Sequence, residues 1–396
     1  MDPELLDDYR WLVGEQGREW LSRVEGLPGT VVAESRQLRK RLSARRAHLV
    51  LEQCELRRRA ASKFAAAAEM YFTRRGLEQS TDQWLAELKA RRFPAGAAIA
   101  DLCCGIGGDL LGLAARGQVT AVDRDPVAVL LAEANCRSLA LPLDSISAAD
   151  ATSVPLAHCD AWHIDPDRRP IGHRTSQLDF SEPSAAVIAR LLAAAPNAAI
   201  KLAPAATLAA DWADGAERQW LGSGRECRQQ VAWFGNLANH PGCHSVAIAN
   251  SRHQTSDVFV GQPHEEVDTT TCVAEYVFEP HAAVLAAGLN GALAARHGLR
   301  TLSAGIAYLT GDQPVDDPLL DAFHVHDVLP LDERRLRTLL RQRNVGRLEV
   351  KKRGVSLDPL AVQRKLRGSG THEATLLITP LKGSVHAIVV QRVKAP

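Results

Sequence analysis

Asp101, Gly105, Gly107 and Gly108 fall within one stretch, Ile99-Ala-Asp-Leu-Cys-Cys-Gly-Ile-Gly-Gly-Asp109, in which an apolar run ends on a carboxylate and passes into a glycine-rich turn. Such a turn lets the backbone approach a small molecule closely, and the start of a following helix offers free N–H groups. The spacing excludes two common nucleotide sites. A dinucleotide fingerprint needs its third glycine at the position held by Leu110, and a triphosphate loop needs a Lys-Ser/Thr pair that does not follow. A carboxylate at Asp101 would also repel a pyrophosphate at close range. Three more acids close apolar runs downstream: Asp123 in Ala121-Val-Asp-Arg-Asp125, Asp150 in Ser147-Ala-Ala-Asp-Ala151, and Asp165 in His163-Ile-Asp-Pro-Asp-Arg-Arg169. Taken singly, these residues are also what tight turns and helix N-caps use. Four acidic ends in register with one glycine loop are harder to obtain from turn chemistry alone.

The elements that must position them follow from periodicity. Strands are expected at 97–102, 119–122, 145–148, 161–164 and 198–202, with helices near 109–115, 126–140 and 183–195. Strands alternating with crossover helices imply an α/β, doubly wound parallel sheet. Apolar runs at 230–234 and 245–249 suit an antiparallel hairpin at its edge. Residues 1–93, rich in Leu, Ala, Arg and Glu, read as a helical N-terminal region. The core is expected over 94–250, a connecting segment over 251–320, and a small α+β domain over 321–396. Ser80 and Gln83 have the spacing of a capping box.

Composition narrows the classes. Forty-seven Lys and Arg against forty-six Asp and Glu leave a net charge of +1, so overall basicity gives no argument for nucleic acid. No apolar stretch approaches the roughly 20 residues of a membrane span, and the acidic start is unlike a signal peptide, so a cytoplasmic protein without a membrane partner is expected. The eight cysteines lack the even spacing of a disulfide scaffold and include no Cys-x-x-Cys pair, so no metal site is expected.

The segment around Asp101 resembles motif I of the class I S-adenosylmethionine-dependent methyltransferases, and His163 to Arg169 resembles their motif IV. The resemblance implies a Rossmann-like methyltransferase sheet with S-adenosylmethionine as cofactor. Asp101 would meet the ammonium of its methionine moiety, Asp123 the ribose and Asp150 the adenine amine, with Cys103, Gly105, Gly107, Arg124 and Ala151 as further contacts. The preceding segment Glu69-Met-Tyr71-Phe72-Thr to Ser80-Thr81 resembles that of cap-type guanosine N2 methyltransferases, where an aromatic-Ser/Thr element lines the cofactor pocket. This assigns Thr81 to the cofactor and Tyr71 and Phe72 to the substrate; a packed helix entrance is the alternative. Asp165 and the carbonyl of Pro166 would accept hydrogen bonds from an exocyclic amine and localise its lone pair toward the methyl. Amino-methyltransferases usually carry Asn/Asp-Pro-Pro-aromatic here, whereas Asp167 and Arg168 stand in the last two places. Arg168 and Arg169 suit a substrate phosphate or a salt bridge to Asp167 or Asp179. Carbon methylation would need a cysteine nucleophile, for which Cys159 is nearest in sequence.

Between Asp332 and Arg367 twelve Lys and Arg face four acids, a local excess of eight positive charges. A second basic run spans Arg36 to Arg46. Asn344 to Val355, with Leu376 to Pro380 and Ala387 to Arg392, resembles the THUMP-like C-terminal domain of a bacterial methyltransferase family. THUMP domains proper bind RNA, so the resemblance implies structured RNA, tRNA or rRNA, as the partner and an N-methylated base as the product. The alternatives are a methyltransferase of proteins or small molecules, and an RNA-binding protein that keeps the cofactor fold without turnover.

Overall fold

The structure, a computed structural model, describes residues 3–25, 38–167, 181–249 and 257–393. The chain divides into two compact units, Met1–Gln219 with Gln229–Gly242 and Ala249–Thr255, and Trp220–Arg228 with Cys243–Ile248 and Ser256–Pro396.

In the first unit, helices α1 (Pro3–Val13), α2 (Glu15–Glu25) and α3 (Ala44–Ala60) precede the short helices α4 (Arg74–Gln79) and α5 (Gln83–Ala90). Then come β1 (Ala98–Leu102), α6 (Leu110–Ala114), β2 (Gln118–Asp123), α7 (Pro126–Ser138), β3 (Ser145–Ala148), β4 (Ala161–Ile164), α8 (Ala185–Ala194) and β5 (Ala198–Leu202). These strands and helices match the expected ones with small shifts at their ends. Their pairing is parallel, in the order β3-β2-β1-β4-β5. β4 and β5 are buried along their whole length, as continuous apolar runs covered on both faces must be. Because β2 and β4 flank β1, the chain crosses to opposite sides of the sheet after β1 and β3. The carboxyl ends of β1 to β4 therefore open along one edge at a topological switch point.

The helical region 1–93 does not stand apart. Tyr9, Leu12, Leu21, Val50, Leu56 and Phe64 share one core with Val127 and Leu131 of α7, so burying the apolar face of α7 requires the N-terminal helices. A strand absent from the sequence reading, β6 (Glu217–Ser223), forms a hairpin with β7 (Glu226–Trp233). Its opening Glu-Arg-Gln conceals it; Gly224, at φ +64°, makes the turn. β7 runs antiparallel to β5, while β8 (His244–Ala249) pairs with β9 (Phe259–Gly261). The hairpin expected between 230–234 and 245–249 is thus replaced by one between β6 and β7.

In the second unit, the expected connecting segment 251–320 instead carries β9, β10 (Tyr276–Pro280), α9 (Ala282–Ala286), α10 (Asn290–His297), β11 (Arg300–Thr301) and β12 (Leu309–Gly311). Phe259, Phe278, Val284, Leu289, Leu293 and Leu309 give it a core. β13 (Leu320–Pro330), α11 (Glu333–Gln342), β14 (Val345–Lys352), α12 (Pro359–Leu366), β15 (His372–Leu381) and β16 (Ser384–Arg392) follow. The sheet order is β11-β12-β10-β13-β16-β15-β14, and the parallel β14–β15 pair is connected through α12.

Candidate active site

The parallel register carries the four acids to one edge. Asp101 lies in β1 opposite Ala121 of β2 and His163 of β4. Asp123 ends β2, Asp150 stands two residues past the end of β3, and Asp165 follows β4 directly. Cys103 starts the turn in the left-handed region at φ +59°, a strained conformation for a residue with a β-carbon. Gly107 follows at φ +96°. Gly108 is needed for a different reason: a β-carbon there would stand 2.9 Å from the backbone nitrogen of Thr81, so only glycine lets the segment before α5 close onto the turn.

The Asp123 carboxylate accepts the backbone N–H of Gly105 (2.8 Å) at one oxygen and that of Asp125 (2.9 Å) at the other. This pins the turn to β2 and leaves each oxygen a further lone pair. Asp150 caps a short 3-10 turn, accepting from the N–H (2.9 Å) and hydroxyl (2.7 Å) of Thr152. Arg124 bridges it to Glu182. The Thr152 contacts and then Arg124 hold the Asp150 carboxyl well below the usual carboxylate range. Ala151 is buried within the same turn.

Behind these ends lies a buried charge network that the sequence reading missed. Asp101 is fully buried; its Oδ1 meets Nδ1 of His163 at 2.7 Å, while its Oδ2 has no partner among the described residues. Burial pushes its carboxyl above the usual range, against the His163 contact. Asp109 pairs with Lys89 and stands 3.5 Å from the Lys201 ammonium. Burial alone would raise its pKa, but the two ammonium groups together hold it well below the ordinary value. Lys201, on β5, also reaches Oδ2 of Asp165 at 2.5 Å and the Thr81 hydroxyl at 2.9 Å, and Thr81 donates to Asp109 at 2.7 Å. One signal could have found Lys201: it is the single charge in the otherwise apolar Ala198-Ala-Ile-Lys-Leu202.

Several expectations change. Tyr71 and Phe72, assigned to the substrate, are 2% and 1% exposed and pack in the helical core. Arg57 covers the Tyr71 ring, and Phe72 lies 5.9 Å from Phe64 between ring centroids, so neither ring has a free face for a substrate. The capping box is not formed: Asp82 caps α5, Ser80 ends α4, and Gln83 bonds to Ala65 and Glu87. Cys159 precedes β4 whereas Asp165 follows it; four strand residues, on the order of 13 Å, keep its thiol from the edge where the four acids gather. Burial also raises that thiol's pKa, the reverse of activation. Asp167 is held by Arg75 at 2.6 Å and pairs through its backbone with Glu182. Arg168 and Arg169 lie outside the described residues.

In the second unit, six of the twelve cations between 332 and 367 are ion-paired: Arg343 with Asp327, Arg347 with Glu373, Lys351 and Arg353 with Glu279, Arg364 with Asp358 and Lys365 with Glu333. Most of these acids lie outside the segment, so a count along the chain overstates its free charge. Among the described residues, Arg334, Arg335 and Arg341 on α11, with Lys352 and Arg367, form no ion pair. Of the N-terminal run, Arg36 lies outside the described residues, and Arg45 and Arg46 pair with Glu4 and Asp8.

The comparisons with known proteins agree with this architecture. Two proteins of Mycobacterium tuberculosis, strains CDC 1551 and H37Rv, each named an uncharacterized S-adenosylmethionine-dependent methyltransferase, are 30% identical over 343 residues, covering 84% of this chain and 93% of each relative. The chain belongs to the S-adenosylmethionine-dependent methyltransferases. Residues 320–392 of the methyltransferase match a family described as THUMP domain-like, and residues 4–60 match a domain of unknown function, DUF8688. The crystal structure of a candidate methyltransferase from Porphyromonas gingivalis W83 shares the fold at a TM-score of 0.76 and 20% identity, over 99% of both chains. The methyltransferase's first unit fits the cofactor chemically: the unpartnered buried oxygen of Asp101 is an acceptor of the kind an ammonium group requires. Among the described residues, no helix is long and apolar enough to cross a membrane and no group of three or more His, Cys, Asp or Glu could hold a metal ion.

Proposed function

We propose that this methyltransferase acts on an exocyclic amine of a base in structured RNA, with Asp165 at the reaction centre. The observation that carries the reading is the Asp165 carboxylate, fixed on one oxygen by Lys201 beside the glycine turn. Bound S-adenosylmethionine supplies a methyl group on a sulfonium, whose sulfur keeps the C–S electron pair. The protein's task is to hold acceptor and methyl in line and receive the proton that the amine sheds. Asp165 and the Pro166 carbonyl serve the amine. Asp101 takes the ammonium, Asp123 the ribose hydroxyls, and Asp150 with Arg124 and Ala151 borders the adenine; Cys103, Gly105 and Gly107 shape the turn. Thr81 acts through the Lys201 network. The THUMP domain-like match and the free arginines of α11 support RNA, because guanidinium groups neutralise phosphates.

Incubation with methyl-labelled cofactor and unmodified total RNA, protein extract or metabolites tests this. Label in RNA is expected; label only in protein or metabolites would overturn the RNA assignment, and binding without transfer would overturn the activity.

Two outcomes are expected for the cofactor. Asp123→Ala weakens its binding by on the order of 1–3 kcal/mol, read by calorimetric titration; unchanged affinity would remove the ribose from Asp123. The second is a pH dependence. The Asp101 carboxyl is raised above the usual range when free, and a bound ammonium favours its ionised form. Below the raised pKa, cofactor binding must expel a proton, so affinity falls as pH drops through that value and protons are released on binding. Titrations in buffers of different ionisation enthalpy measure the release, and the same release from Asp101→Asn would assign it to another group.

A further inference from the structure

We propose that Lys201 is a positioning residue that fixes the Asp165 carboxylate, leaving its outer oxygen for the acceptor's N–H. The inference rests on Asp165 being the reaction-centre carboxylate. Lys201 is 5% exposed on a strand buried from end to end. The fold needs only an apolar residue at that place, and burying an ammonium is costly. Neutralising Asp109 does not account for it, because Lys89 already pairs with that carboxylate.

What Lys201 adds is the 2.5 Å contact with Asp165, while its remaining donors are taken up by Thr81 at 2.9 Å and Asp109 at 3.5 Å. Anchored to three elements, the ammonium has little freedom, and neither has the carboxylate it holds. Asp165 keeps 28% side-chain exposure, and its second oxygen takes no hydrogen bond from the described residues. As the acceptor nitrogen gains the methyl group, its proton passes to that oxygen and the C–S electron pair stays on sulfur. Lys201 keeps its own protons throughout.

With Lys201 gone, Asp165 loses the side chain that holds its inner oxygen, so the outer oxygen is no longer fixed toward the acceptor. Transfer then slows while the cofactor contacts, made by other residues, remain.

The test uses full-length Lys201→Met, Lys201→Arg, Asp165→Asn and the Lys201→Met/Asp165→Asn pair, with methyl-labelled S-adenosylmethionine and total unmodified RNA. For Lys201→Met we expect a roughly 10²-fold slower single-turnover transfer with cofactor affinity within a few-fold of the parent. Lys201→Arg, which keeps the charge and its donors, should restore most of the rate; it is the variant to read if the methionine form does not fold. In the Asp165→Asn background Lys201→Met should cost little more. Equal losses of rate and cofactor affinity, or full additivity, would reduce Lys201 to a structural residue. Normal turnover by Asp165→Asn would instead overturn the reading of Asp165 itself. If no RNA accepts label, carbon-13 carboxyl resonances of labelled aspartate still report the surroundings of Asp165, identified by its absence in Asp165→Asn. An unchanged Asp165 resonance in Lys201→Met refutes the proposal.

Discussion

Asp165→Ala is expected to slow methyl transfer roughly 10²- to 10⁴-fold, the range for losing a positioned acid–base group, while cofactor affinity changes only a few-fold. Asp165 follows β4 at the edge where the four acids gather, and among the described residues its side chain bonds to Lys201 alone. Removing it does not strand that buried ammonium, because Thr81 and Asp109 remain as acceptors at 2.9 and 3.5 Å. The variant should therefore fold, and its loss should appear in turnover. Single-turnover rates with labelled cofactor, set beside calorimetric affinity, separate the two effects. Equal losses in both would remove Asp165 from the chemistry and return it to shaping the pocket.

Arg92→Met should carry the largest cost in stability, about 3–5 kcal/mol, because it leaves a buried carboxylate without its cation. Glu217 is fully buried, and both its oxygens meet the Arg92 guanidinium, at 2.5 and 2.7 Å. The same guanidinium lies over the Trp233 ring, 4.9 Å from its centroid. Glu217 also accepts the backbone N–H groups of Asn239 and His240 at 2.8 and 3.0 Å. An uncompensated charge would thus loosen the start of β6 and the loop after β7 together. The urea midpoint of Arg92→Met should fall, and Arg92→Met/Glu217→Gln should recover part of the loss, since that pair no longer buries a charge. A loss below about 1 kcal/mol would mean that water or the two amides carry the carboxylate unaided.

The sequence and the tertiary structure answer different questions. Strands β1 to β5, their crossover helices, the glycine turn and the acidic strand ends were legible along the chain, because each depends on local periodicity or on residues only a few positions apart. Asp101, Asp123, Asp150 and Asp165 share an edge because parallel strands must all end the same way. The partners of these acids were not legible. Lys89, Asp109, His163 and Lys201 come from α5, the turn before α6, β4 and β5, and no local pattern states that their side chains converge. Tyr71 and Phe72 failed as substrate contacts because an aromatic pair looks the same in sequence whether it lines a pocket or fills a core. The charge excess between 332 and 367 shrank because Asp327, Glu279 and Glu373 reach it from other strands. The chain's own order determined the cofactor fold and the acidic edge; only folding, which brings distant residues within a few ångströms in a medium of low dielectric constant, decided which charges are paired, which are buried, and which carboxylate keeps an oxygen free.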